Sequence, residues 1–169
     1  WQTVKTMSNE KIEREQLTHL YHQPGHLLRR AHQIAASIFH DELGAQVTPI
    51  QYAVLRILKE HAGIDQVTLA GLVAIDTSTA ASVAIRLEEK GLLIRDVDPD
   101  NRRQRKLYLT EGGVRLLEQA KDGIYRLENR IFAGLTGNEA KQFMVLLQKM
   151  VDANNALSRA PLIKPSKNK

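Results

Sequence analysis

Apolar residues recur along the chain with two different periods, and the change of period marks its organisation. Leu27, Leu28, Ala31, Ile34, Ala35, Ile38 and Phe39 fall in one broad arc at 100° per residue. That arc predicts a long amphipathic helix from about His26 to Leu43, after the Pro24-Gly25 boundary and ended by Gly44. Thr48-Pro49 reads as a side-chain cap with proline at the first helical position. The helix it opens, over 49–61, presents Ile50, Ala53, Val54, Ile57 and Leu58. Two short helices are predicted next, over 67–74 and from Ser78 to Lys90, with caps from Asp76-Thr77-Ser78 and Gly91 at the C′ position. The period then drops to two. Leu92–Val97 and Lys106–Leu109 read as strands, and Asp98-Pro99-Asp100-Asn101 between them is turn chemistry.

From Thr110 the helical period returns. Leu117, Ala120, Ile124, Leu127 and Ile131 recur at spacings of three and four, a seam for another helix. Gly134 and Gly137 interrupt it, and a last helix over 138–158 presents Phe143, Leu147, Met150 and Leu157. The expected divisions are an N-terminal extension over 1–21, a dimerisation helix over 22–47, and a DNA-binding lobe over 48–110. Dimerisation helices over 111–158 and a disordered basic tail over 159–169 complete the chain. Trp1 to Thr6, ahead of Met7, are read as leader sequence outside the fold. Two short helices with a hairpin behind the second are the parts of a winged helix-turn-helix. The expected fold is therefore mainly α with a small β-hairpin wing. The apolar seams at both ends exceed what one small chain can cover, so it is expected to dimerise through its N- and C-terminal helices.

Composition narrows the chemistry. With 169 residues the chain suits one domain with a real core. A net charge of +5 favours an anionic partner. The absence of cysteine excludes disulfides, thiolate catalysis and Cys-based zinc sites. No apolar run approaches the ~20 residues of a membrane span, and the expected location is cytoplasmic.

The helix from Ser78 carries the first functional pattern. Ala80, Val83, Ala84 and Leu87 share one face, while Ser78, Ser82 and Arg86 lie opposite with Thr79 at the edge. Small hydroxyls at a helix N-terminus allow close approach to DNA and can donate to phosphates or base edges, and an Arg further on can reach guanine. Solvated polar positions are the blander reading of that face. The hairpin shifts the balance, because Arg102, Arg103, Arg105 and Lys106 crowd its tip and ascending side. A basic wing can lie against phosphates or in a minor groove, although Asp96, Asp98 and Asp100 partly offset its charge.

Three stretches, Thr48–Leu55, Arg86–Leu93 and Asp98–Thr110, resemble the MarR family of bacterial transcription regulators, with similarity over about 22–158. The resemblance implies a homodimer of winged-helix subunits on double-stranded DNA, a repressor at a pseudo-palindromic operator, released by a small aromatic acid. Asn101 stands where the family's wing commonly has Asp, which removes one ionic partner for a wing arginine. Pro24–Gln33 is similar to the branch controlling catabolism of aromatic acids, which implies a hydroxynicotinate-like effector.

A carboxylated aromatic needs a cation, a hydrogen-bonding group and apolar walls. His26 and Arg30 border the arc of the first helix, and Tyr52 lies opposite the apolar face of the second. An interface ion pair for Arg30 and ordinary packing for Tyr52 are the alternatives. The six histidines lack a completing ligand set, so no metal and no cofactor is expected. No nucleophile motif, phosphate-cradling loop or carboxylate pair marks a catalytic residue. The rival to a regulator is a helical dimerisation or adaptor protein without DNA binding.

Overall fold

The structure, a computed structural model, describes residues 19–98, 101 and 104–164. A single 3-10 turn, Leu20–His22, leads into α1 (Pro24–Leu43), followed by α2 (Pro49–Glu60). A two-residue strand β1 (Ile64–Asp65), α3 (Gln66–Val73) and α4 (Thr77–Glu89) come next. The hairpin β2 (Leu93–Val97) and β3 (Arg105–Leu109) is followed by α5 (Glu111–Gln119), α6 (Lys121–Ile131) and α7 (Gly137–Ala153). The last 3-10 turn is Asn155–Leu157. The chain is mainly helical with a small antiparallel sheet, as its hydrophobic periods require.

The boundaries follow from local chemistry. Thr48 caps α2 in a full capping box, its hydroxyl accepting from Gln51 N at 3.3 Å while Gln51 Oε1 accepts from Thr48 N at 3.1 Å. Asp65 caps α3 by accepting from Thr68 N at 2.8 Å, and Thr136 with Glu139 forms a second capping box at α7. Gly91, at φ +67°, closes α4 in the left-handed region expected of a C′ glycine.

The core is built where the winged lobe meets α2 and α5. Leu55, Leu58, Leu69, Leu87, Leu93 and Leu107 are almost completely buried, joined by Val54, Ala80 and Ala84. The sheet order is β1-β3-β2, with Ile64 opposite Leu107 and Leu93 opposite Leu109. Strand β1 lies outside the hairpin expected from sequence. Two residues cannot show an alternation, so it exists only through its pairing with β3. The helix expected from Thr110 is divided at Ala120, which caps α5 and starts α6.

Outside the core, α1 packs along α6. Arg126 and Arg130 of α6 donate to Glu42 at 2.7 and 2.8 Å, and Arg130 reaches Asp41 at 3.0 Å. These arginines, Arg130 foremost, hold the Glu42 carboxyl below its usual range. The expected seam is only partly open: Leu117 and Ala120 are buried, Ile124 and Leu127 pack on the core, and Ile131 remains exposed. Helix α7 buries no residue. Its Phe143, Met144, Leu146 and Met150 stay exposed, as do Leu27, Leu28 and Ile34 on α1.

The tail corrects one expectation. Residues 159–164 do not trail away as a disordered segment: Ile163 N donates to Gly71 O of α3 at 2.9 Å. Residues 165–169 lie outside the described residues. Among the described residues no single helix is long and apolar enough to cross a membrane.

Candidate nucleic-acid interface

Helices α3 and α4 meet at 105°, joined by Ala74, Ile75 and Asp76, with Ala74 in the left-handed region at φ 57°. That is helix-turn-helix geometry. Ala80, Val83, Ala84 and Leu87 are all buried against the core, so the opposite face of α4 is left to solvent. Ser78, Ser82 and Arg86 are exposed and Thr79 is half-buried at the edge.

The hydroxyls behave differently from the expected free donors. Asp76 Oδ1 accepts from Ser78 Oγ at 2.5 Å and from Thr79 N at 2.8 Å, and Asp76 Oδ2 accepts from Thr79 Oγ1 at 2.6 Å. Ser82 Oγ donates to Ser78 O at 3.0 Å. All three hydroxyl protons are committed within the helix end, leaving lone pairs outward. The donors to Asp76, Ser78 foremost, hold its carboxyl far below the usual carboxylate range. Asp76 was legible as a helix cap. Its second function, orienting the hydroxyls, follows from the Asp-x-Ser-Thr spacing, which puts both within reach of one carboxylate.

The Arg86 side chain makes no hydrogen bond or ion pair among the described residues. The nearby carboxylate Glu88 is taken instead by Arg95 of β2, at 2.8 Å from Nε and 2.6 Å from Nη2. Arg95 lowers the Glu88 carboxyl and ties the wing to α4. The sequence offered Glu88 as a partner for Arg86 rather than for Arg95, which lies seven positions on in a different element.

The wing is closed by its own backbone. Asp98 N donates to Gln104 O at 3.1 Å, Asn101 N to Asp98 O at 3.2 Å, and Gln104 N to Asn101 O at 2.8 Å. Asn101 Nδ2 lies 3.4 Å from Gln104 Oε1, so the residue that replaces the usual acid bridges within the turn. Asp98 is buried and pairs with Lys106 at 3.4 Å, so that one cation of the basic run serves the hairpin itself. Arg105 is exposed at the end of β3, opposite Val97. Arg102 and Arg103 lie outside the described residues.

On α1, His26 is half-buried, with Nδ1 3.4 Å from Arg29 Nη2 and a buried Nε2 that has no hydrogen-bond partner among the described residues. Arg29 also donates to Gln33 at 2.8 Å, whereas Arg30 is exposed with no partner among the described residues. Tyr52 is half-buried, edge-on to Phe39 with ring centroids 6.0 Å apart. No hydrogen bond or ring contact joins His26, Arg30 and Tyr52 to one another. Among the described residues no group of three or more His, Asp or Glu is placed to hold a metal.

Comparison with known proteins agrees with this arrangement. Residues 47–104 match the MarR family. Over 133 residues the chain is 32% identical to the HTH-type transcriptional repressor NicR of Pseudomonas putida, covering 78% of this chain and 84% of that protein. A solved structure of Bordetella bronchiseptica BpsR, described as explaining regulation of its DNA binding by 6-hydroxynicotinic acid, superposes with a TM-score of 0.72. Its identity is 34%, over 77% of this chain and 99% of that one. The repressor CouR bound to a 23-mer DNA duplex gives a TM-score of 0.74 at 26% identity, over 80% and 96% of the two chains. The chain belongs to the MarR family of winged-helix, DNA-binding transcription regulators, and it is not an enzyme.

Proposed function

We propose that two copies of this chain bind a pseudo-palindromic operator as a repressor and release it when a small aromatic carboxylate binds. The observation that carries the reading is the exposed face of α4, where a partner-free Arg86 stands beside three oriented hydroxyls and a wing tied on through Glu88–Arg95. Each copy places α4 in a major groove, Arg86 on a base edge, and Arg102, Arg103 and Arg105 on phosphates or in the adjoining minor groove. The exposed apolar faces of α1 and α7 support pairing, because such a stripe is buried in a stable helical protein.

The effector reading rests on α1 and α2. His26 and Arg30, one helical turn apart, share a face, and the buried unpaired His26 Nε2 calls for a hydrogen-bond partner. Arg30 supplies the cation for a carboxylate and Tyr52 a ring wall or hydroxyl. The relation to BpsR and NicR makes a hydroxynicotinate-like acid the first compound to test. Moving a regulator from mostly bound to mostly released takes about 5 kcal/mol of differential affinity, compatible with a Kd of about 1 µM for the released form.

The test is titration of 6-hydroxynicotinate, nicotinate and 4-hydroxybenzoate into wild type and Arg30→Ala, with operator release followed in parallel. Binding by wild type that releases operator, weakened about tenfold or more in Arg30→Ala, is the expected result. No binding by any of the acids, or an Arg30→Ala response equal to wild type, overturns the assignment of the effector site.

A further inference from the structure

A second place in the molecule has the makings of a ligand site, and it shares no residue with the effector site proposed on α1 and α2. After α7 the chain turns back as a short strap. Asn155 holds that strap by both ends of its side-chain amide, Nδ2 donating to Leu162 O at 2.9 Å and Oδ1 accepting from Leu162 N at 2.8 Å. The next residue, Ile163, donates its N–H to Gly71 O on α3 at 2.9 Å. A Cβ at Gly71 would meet the Ile163 side chain at 3.1 Å. The missing side chain is what lets the strap lie against the first helix of the helix-turn-helix.

The strap touches α3 without covering it. A cavity of about 410 Å³ lies beside the contact, walled by Ile64, Val67, Leu72 and Ile163. That volume is within the range of small-molecule sites, roughly 300–1,000 Å³. Val67 and Ile163 remain 67% and 64% exposed although the two segments converge here. Apolar surface is thus held open between two elements joined by the main-chain hydrogen bond from Ile163 to Gly71, with the strap braced by the Asn155 side chain. Lys164, His61 and Thr68 are the polar side chains at the cavity, the Thr68 hydroxyl donating to Asp65 at 3.1 Å, and among the described residues no carboxylate lines it. The ion-pair partner of Lys164 is Asp152, at a long 3.5 Å and exposed, so its charge is weakly compensated.

We propose that the cavity between the C-terminal strap and α3 binds a small monoanion with a flat apolar body. The body fills the space between Val67, Leu72 and Ile163, and the anion meets Lys164 with His61 beside it. Such a ligand touches the C-terminal strap and α3 at once, and so stabilises their contact.

The probe is 2-naphthoate, titrated calorimetrically into the full-length protein, with naphthalene-2-carboxamide as its uncharged counterpart. Arg30→Ala removes the cation of the proposed effector site and isolates the new site. Val67→Trp fills the cavity from a largely exposed position that folding tolerates. Saturable binding by Arg30→Ala is expected, with contacts from the naphthyl protons to the Ile163 methyls in nuclear Overhauser spectra. Val67→Trp should abolish this binding, and Lys164→Ala or the amide probe should weaken it about tenfold or more. The Lys164→Ala arm stands if Val67→Trp fails to fold. No saturable binding by Arg30→Ala, or binding that survives both cavity variants, overturns the proposal. Binding lost in Arg30→Ala but kept in Val67→Trp also overturns it and leaves the proposed effector site standing. The opposite pattern supports this site and counts against that one.

Discussion

Replacing Arg86 by Ala isolates the reading function proposed for α4, because the side chain makes no hydrogen bond or ion pair among the described residues. Arg86 is exposed and occupies a helical position where Ala is at least as favourable. The stability of the protein should therefore change by about 0.5 kcal/mol or less. A specific base contact contributes roughly 1–3 kcal/mol, and a two-fold symmetric complex makes it twice. The summed loss of roughly 2–6 kcal/mol weakens operator binding between about thirtyfold and about twenty-thousandfold. Fluorescence anisotropy on a panel of duplexes, each with one symmetric pair of bases changed, resolves the cause. A reading Arg86 loses most on the intact operator and nothing on the duplex whose contacted base has already been changed. If the loss is uniform across the panel, Arg86 contacts phosphate, and the salt slope should then fall by about two units for the dimer. Wild-type affinity for every duplex would refute the placement of α4 on DNA.

Arg105→Ala should weaken all duplexes similarly and lower the salt slope by about one unit per subunit; selective loss on one sequence would contradict a backbone contact. Phe143→Asp puts a charge on the exposed apolar face of α7, at a cost of about 3–5 kcal/mol per subunit if that face is buried in a dimer. Sedimentation should then show monomers that no longer bind operator, and an unchanged dimer would remove α7 from the interface. Leu107→Ala deletes a fully buried side chain of β3 and should cost about 3–5 kcal/mol, a fall in Tm of roughly 10 °C. Glu118 is held to a pKa of about 2 by Lys121 and Lys59, the latter at 2.6 Å. A lowered carboxylate stabilises the fold above its unfolded pKa and loses that contribution as pH falls from about 5 towards 2. Glu118→Gln should flatten the stability profile in that window, lowering stability near neutrality and converging on wild type towards pH 2.

The periodic elements were readable from sequence because each one carries its own signal. Thr48-Pro49 announces α2, Gly91 closes α4, and the buried face of α4 follows the spacing of Ala80, Val83, Ala84 and Leu87. What escaped is non-local. Strand β1 is two residues long and exists only by pairing with Leu107 and Lys106. The division at Ala120 involves no Gly or Pro, and Leu117, Ala120 and Ile124 keep a helical spacing across it. In the candidate site, the solvent-exposed positions of α4 were legible from helical spacing. That the hydroxyl protons point to Asp76 was not, because residue type does not say which way a hydroxyl turns. The strap was hidden by a basic, proline-containing composition that usually stays unfolded. Its signal was the isolated Gly71 inside α3, where a missing side chain made room for Ile163.

The most direct test is equilibrium binding of the full-length protein to its operator, measured for stoichiometry and for salt dependence together. Two chains per symmetric duplex are expected, with log K falling against log salt at a slope of about −5 or steeper for six or more phosphates neutralised. A duplex cut to one half-site should bind far more weakly. One chain per duplex, or a slope near zero with no preference for operator over random sequence, would contradict a dimer that reads DNA through α4 and its wing.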